Sequence, residues 1–255
     1  MRKELLYNPF LLTERIGEEF ARRKRLRRLK GTSASNLNES QITSLEFLEI
    51  AKNNYPVKVI YDIGGNIGTW SQLAKAIFPN AIIHAFEPIK KFQDHFLTNT
   101  KEFGKSVTLH KTGLGSKNGT ASINVGGDAS SFLEIGSLLT SFFPTVKKTG
   151  EEIVNISMLD SYVQQTNLAF PDVMKLDVEG FELEVLKSAK ECMKKCKYII
   201  LEISFEERHI GQPLFPDVVY FLAQHNFHIC SFPAFMHLAQ KIYWTDILFE
   251  NRSIK

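Results

Sequence analysis

No apolar run in this 255-residue chain approaches the 18 residues that a membrane-crossing helix requires, so a transmembrane segment is not expected. Cysteine is scarce: Cys192, Cys196 and Cys230 make an odd set without the spacing of a disulfide framework, which points to a reducing compartment, by default the cytoplasm. Cys192 and Cys196 are four apart, but no second Cys or His pair accompanies them, so a zinc site is not expected. The histidines show no metal spacing either; His84 and His110 read as residues of buried strands, and His225, His228 and His237 carry no signal. Arg2 and Lys3 precede only a short apolar stretch, broken by Asn8, Thr13 and Glu14, which is unlike a secretory leader. No internal repeat or low-complexity tract is present. What remains is a chain of ordinary globular composition, 44% hydrophobic, long enough for one large α/β domain with a small appendage.

The net charge of +3 hides an asymmetry. Ala21 to Lys30 reads ARRKRLRRLK, without one acid, and the remainder of the chain is slightly acidic. Two readings of residues 22–30 stand side by side. One is a solvated helix face that packs on the domain through Leu26 and Leu29. The other is contact with an anionic surface, which would put the protein at the membrane periphery; nucleic acid is not expected as the partner.

Residues 9–30 place Phe10, Leu11, Ile16 and Phe20 at helical spacing, with Glu14, Glu18 and Glu19 in the first half and bases in the second, as the helix dipole favours. Gly31 to Asn38 reads as a linker, so residues 1–38 form a basic helical extension and 39–255 the main domain. A helix over 40–52 carries Ile42, Leu45, Phe47 and Leu48 as its apolar stripe. Strands at 57–62, 81–86 and 106–111 then alternate with helices at 67–78 and 89–100, the rhythm of right-handed βαβ units in a parallel sheet. From 113 to 158 the rhythm breaks: 120–125 and 153–158 alternate apolar and polar residues like an antiparallel pair around a Gly- and Ser-containing segment, and an insertion of that length at the strand tips is usually functional. Helix 159–165, strand 172–177, helix 180–195 and strand 198–204 restore the pattern. A helix near 216–225 and strands near 227–232 and 241–249 close it, the last two as an antiparallel hairpin at one sheet edge.

The organising stretch is Val59-Ile-Tyr-Asp-Ile-Gly-Gly-Asn-Ile-Gly68, in which an apolar strand ends in Asp62, passes through glycines and opens into a helix. This is where an α/β sheet holds a nucleotide-like ligand. Gly64 and Gly68 permit positive φ and close backbone approach, and Asn66 suits the turn and a helix cap. Asp62 at the strand tip is ill suited to a pyrophosphate and suits a ligand with positive charge or hydrogen-bond donors. A second buried strand ends in Phe86-Glu87-Pro88, placing an acid where ribose hydroxyls are bound and an aromatic where an adenine would lie. An NAD site would share Glu87 but should show a glycine at position 66.

The D-x-G-x-N-x-G run followed by F-E-P resembles the cofactor site of S-adenosylmethionine-dependent methyltransferases, and Lys175-Leu-Asp-Val-Glu-Gly-Phe-Glu182 resembles the K-x-D-V-E-G-x-E signature of the FkbM family of O-methyltransferases. The resemblance covers about residues 57–204. It implies a doubly wound, Rossmann-like class I methyltransferase sheet of seven strands with the last strand antiparallel, here with an N-terminal helical extension and a β insertion after the third strand. It implies S-adenosylmethionine bound by Asp62, Gly64, Asn66, Gly68, Phe86 and Glu87. The acceptor it implies is a sugar, glycan or polyketide hydroxyl. Ser130-Ser131 resembles a serine pair common at this point of FkbM-type chains, although loop polarity alone explains serines there.

Methyl transfer to a hydroxyl needs the acceptor held near the methyl carbon and a group to take the proton. Asp177, Glu179 and Glu202 lie at the tips of middle strands and should point into one crevice, where Asp177 is a general base or, with the other two, a ligand of Mg²⁺ or Mn²⁺. His209, just after the fifth strand, is a further candidate for reaching the acceptor. Lys175 should project to the same side as Asp177 and pair with a carboxylate. The competing readings are an NAD-type oxidoreductase and a catalytically idle binding module.

Overall fold

The computed structural model describes residues 9–233 and 241–255, and the side chains of 9–15 and 18 also stand outside the description; Phe10, Leu11, Glu14, Glu18 and His237 therefore lie outside the described residues. In chain order the elements are α1 (Pro9–Arg28), α2 (Leu45–Asn54), β1 (Val59–Ile63), α3 (Thr69–Ile77), β2 (Ile82–Phe86), α4 (Lys90–Asn99), β3 (Val107–His110), β4 (Gly113–Leu114), β5 (Gly119–Val125), α5 (Ser137–Phe142), β6 (Gly150–Ser157), α6 (Leu159–Thr166), β7 (Val173–Leu176), α7 (Glu182–Lys187), α8 (Lys190–Lys195), β8 (Tyr198–Ser204), α9 (Phe215–Gln224), β9 (Phe227–Ser231) and β10 (Trp244–Asn251).

Seven strands form one sheet in the order β3-β2-β1-β7-β8-β10-β9. The described pairs among β3, β2, β1, β7 and β8 are parallel, and β10 runs antiparallel to both β8 and β9. This is the doubly wound sheet with a reversed last strand that the resemblance implies. Residue parity divides the core. Tyr61, Ile63, Met174, Leu176, Ile199, Leu201, Ile247 and Phe249 face α6 to α9, while Ile60, Ile83, Ala85, Val173, Tyr198, Ile200 and Leu248 face α2 and α3. Successive strand residues point to opposite faces, so Asp62, Lys175, Glu202 and Asp246 share the α2–α3 face with the second set. That parity puts polar side chains of four strands on one side of the sheet.

The insertion is a separate three-stranded sheet, β4-β6-β5, in which β5 and β6 are antiparallel as their alternation indicates and β4 adds a short parallel edge. The helix expected over 180–195 is two helices. Its break at Ser188 frees the Ser188 carbonyl and hydroxyl to accept the N–H groups of Asp160 and Leu159 at the start of α6, and Asp160 in return caps α8 by accepting from the N–H groups of Glu191 and Cys192. The helix expected from residue 40 starts at Leu45, after a single 3₁₀ turn at Glu39–Gln41. Residues 31–38 are docked: Ala34 is buried beside Leu29 and Ile42, and the Ser33 hydroxyl donates to the Gln72 carbonyl.

In α1, Ile16 and Phe20 are exposed, while Leu29 enters the core and Leu26 packs against it, as the first reading of the basic run expects. The basic run is largely paired within the chain. Arg22 and Arg23 bond Glu19, buried Arg25 bonds Glu39, Glu46 and the Ile42 carbonyl, and Arg28 pairs with Glu49.

Candidate active site

The turn after β1 is shaped by two glycines. At Gly64, φ is +82° and a Cβ would collide with the Asp177 carbonyl; at Gly68, φ is +87° and a Cβ would meet Thr100 and Phe96. Only glycine adopts both conditions without strain. Gly68 is the residue that caps α3, and Asn66 does another job at φ +46°: its N–H donates to Glu87 Oε2 (2.9 Å) and its side-chain amide to Asp128 Oδ1 (3.2 Å). Glu87 Oε1 accepts the Ile89 N–H (2.8 Å). Each carboxylate oxygen thus holds one backbone donor and keeps lone pairs for another. Burial pushes Glu87 up to about 7, against those two hydrogen bonds.

Asp62 does not line the cavity that Glu87 and Asn66 border. It is fully buried, accepts from the Ser71 hydroxyl (2.6 Å) and lies 3.6 Å from Lys175 Nζ; burial raises its pKa in spite of that lysine. It anchors Lys175, which also lies 3.2 Å from Asp177 and donates to the Gly64 carbonyl. Burial works against the charge on Lys175, but Asp177 and Asp62 outweigh it and raise its pKa. Phe86 lines the cavity with its ring packed inward, stacked on His110 at 4.8 Å and edge-on to Tyr61 and Tyr162.

A cavity of about 500 Å³ runs from Glu87 and Asn66 past Lys175 to Glu202 and Asp246, and its far wall is residues 40, 41, 43 and 44 with Trp70. Asp177, Glu179 and Glu202 come together there, with oxygens within 4.8 Å of one another. Glu179 is held at φ +51° ahead of Gly180, and the Ser131 hydroxyl fixes it by donating to its carbonyl (2.7 Å). Arg208 donates to Glu202 Oε2 (2.5 Å) and lies 3.6 Å from Glu179 Oε2. Burial, and for Glu179 the neighbouring Glu202, raise the pKa of both glutamates despite Arg208. Lys175 and Arg208 already pair with these three carboxylates and would compete with a divalent cation for them, although the two do not balance all the acids at this end of the cavity.

Two residues of this cluster carry no motif. Asp246 stands opposite Glu202 in the β8–β10 register, bonded through Thr43, and burial with Glu202 beside it pushes it up to about 7. Arg208 arrives on the loop after β8, its guanidinium stacked on Trp244 at 4.9 Å. Asp246 has a legible trace, a lone acid inside the apolar run of β10, whereas nothing local marks Arg208. His209, expected to approach the acceptor, does not line the cavity. It is fully buried behind Glu179, with Nδ1 4.0 Å from Glu179 Oε2 and Nε2 3.4 Å from the Ala129 carbonyl, and burial lowers its pKa.

Residues 62–229 match the Methyltransferase FkbM domain. The hexuronic acid methyltransferase AglP of Haloferax volcanii is 28% identical over 57% of this chain and 55% of its own length. The 2-O-methyltransferase NoeI of Sinorhizobium fredii is 27% identical over 62% of this chain and 68% of its own. The chain thus spans little more than half of the first of these relatives. Among solved structures, the S-adenosylmethionine complex of magnesium protoporphyrin IX methyltransferase from Synechocystis PCC 6803 is similar, with TM-score 0.48 and 14% identity over 84% of this chain and 78% of that one.

Proposed function

The chain belongs to the FkbM methyltransferase family, and from that premise we propose that it is an S-adenosylmethionine-dependent O-methyltransferase acting on a hydroxyl of a sugar or glycan. One observation carries the reading: a single cavity joins a carboxylate with spare lone pairs, Glu87, to a cluster of carboxylates at the tips of β7 and β8. The residues fit the cofactor, since Glu87 offers acceptors for two ribose hydroxyls and Gly64 and Gly68 leave the turn bare for close approach. When bound, the cofactor supplies an electrophilic methyl group. Asp177, the most exposed of the acids at 43%, takes the acceptor proton, and Lys175 fixes its orientation. Glu179 and Glu202, held by Arg208, orient the acceptor. The names of AglP and NoeI favour a sugar over a polyketide. In the basic run at 22–30, Arg25 and Arg28 pair with acids of the domain and Arg22 and Arg23 with Glu19 of their own helix, which makes an anionic surface a secondary partner.

Calorimetry with S-adenosylmethionine, then mass spectrometry of glycans incubated with protein and cofactor, tests the reading. Asp177→Asn should lower single-turnover transfer by roughly 10² to 10⁴ with cofactor affinity near that of the parent, and a chelator should leave the rate unchanged. NAD binding tighter than S-adenosylmethionine would overturn the cofactor assignment. Cofactor binding without transfer to any glycan would leave the idle binding module.

A further inference from the structure

The charged side chains lining the cavity are the carboxylates Glu87, Asp128, Asp177, Glu179, Glu202 and Asp246 and a single cation, Lys175, among the described residues. Glu87 and Asp128 belong to the cofactor end, where both hold Asn66. The acceptor end therefore has four carboxylates, served by Lys175 and, from behind, by Arg208. Neither cation is uncommitted: Lys175 lies between Asp62 and Asp177, and Arg208 between Glu202 and Glu179.

Trp70 lines the same cavity, but its indole nitrogen is fully buried and presents no donor there. The site thus offers a surplus of acceptors. A sugar hydroxyl answers it by donating to a carboxylate. A carboxylate on the acceptor donates nothing, and it adds negative charge to a cleft where like charges already repel.

We infer that the acceptor is an uncharged sugar, and that Asp246 and Glu202 exclude uronic acids. This rests on the sugar methyltransferase reading and departs from the acceptor for which AglP is named. It makes Asp246, outside every motif, a determinant of specificity.

Full-length protein saturated with S-adenosylhomocysteine would be titrated at pH 8 with matched pairs: methyl β-glucopyranoside against methyl β-glucuronide, and methyl β-galactopyranoside against methyl β-galacturonide. In at least one pair the neutral member should bind at least tenfold more tightly. The ratio should shrink as salt is raised. Asp246→Asn, nearly isosteric, should also shrink it severalfold while the affinity for S-adenosylhomocysteine holds. Should that variant misfold, the wild-type ratio and its salt dependence still decide. Equal or tighter binding of the uronides overturns the inference and leaves the sugar methyltransferase reading standing. Binding of neither member of either pair overturns both, with the S-adenosylhomocysteine titration reporting separately on the cofactor site.

Discussion

Replacing Glu87 by Gln separates what this carboxylate does for the fold from what it does for the ligand. In the folded protein both its oxygens accept from backbone N–H groups, of Asn66 and Ile89. An amide has one acceptor oxygen, so either orientation sets an NH₂ against one of those donors. Leaving a buried N–H unpaired costs about 1–3 kcal/mol. Against that stands the burden of the charge itself. Held up to about 7 from the ordinary 4.5, Glu87 is an ionised group in a buried place at pH 8, and the difference corresponds to ~3 kcal/mol of destabilisation that Gln removes. The two effects nearly cancel, so the melting temperature should move by no more than about 5 °C. Binding has no such compensation. Losing one charge-assisted hydrogen bond to a ribose hydroxyl costs ~1.5–3 kcal/mol, which weakens S-adenosylmethionine roughly 10- to 100-fold. Calorimetric titration and a thermal melt on the same preparation test both halves. A folded variant with unchanged affinity refutes the assignment of Glu87 to the ribose.

Gly64→Ala forces a side chain into left-handed backbone, about 1–2 kcal/mol, and against the Asp177 carbonyl; cofactor binding should be lost and the melting temperature lowered, and a variant that binds normally would show that the turn tolerates a Cβ. Glu87, Glu182 and Asp246 are each held up to about 7, above their unfolded values, so the stability they contribute is full below pH ~4 and lost as pH rises through 7. The ligand-free melting temperature should therefore fall between pH 5 and pH 8, whereas S-adenosylmethionine, which needs ionised Glu87, should bind more tightly at pH 8 than at pH 6; a melting temperature that rises across that window contradicts the assignment. Arg25→Gln breaks a buried pair with Glu39 and Glu46 and should cost about 3–5 kcal/mol. Arg27→Gln, with no acid within 4 Å among the described residues, should leave thermal unfolding unchanged, and equal effects of the two would show that Arg25 is not a clamp.

The meeting of Gly64, Asn66, Phe86 and Glu87 in one cavity was legible because its parts are local. Each part is a strand with its own turn, and the alternation of strands and helices brings such turns together in any parallel sheet. Asp177, Glu179 and Glu202 were legible for the same reason, as acids at strand tips. Not legible was the direction of residues set by distant partners. Asp62 reads as a strand-tip acceptor, but the serine two residues into α3 and the lysine of β7 claim it. His209 follows a strand that points to the site, yet the loop turns it behind Glu179 because the insertion fixes the adjacent backbone, with the Gly136 N–H donating to the Arg208 carbonyl at 2.7 Å. Asp246 needs the β8–β10 register, which no local pattern specifies.

That register has a consequence for the order in which the protein is made. Among the described residues β9 has no sheet neighbour except β10, and β10 slots between β9 and β8. During synthesis from the N-terminus, β1, β2, β3, β7 and β8 can associate as soon as they emerge, while β9 must wait with an unpaired edge. Only when residues beyond 244 leave the ribosome does the sheet close, and the same strand delivers Asp246 to the cavity. A nascent chain would then hold Glu87, Asp177, Glu179 and Glu202 before it holds Asp246, and the cavity would be completed by the insertion of one strand.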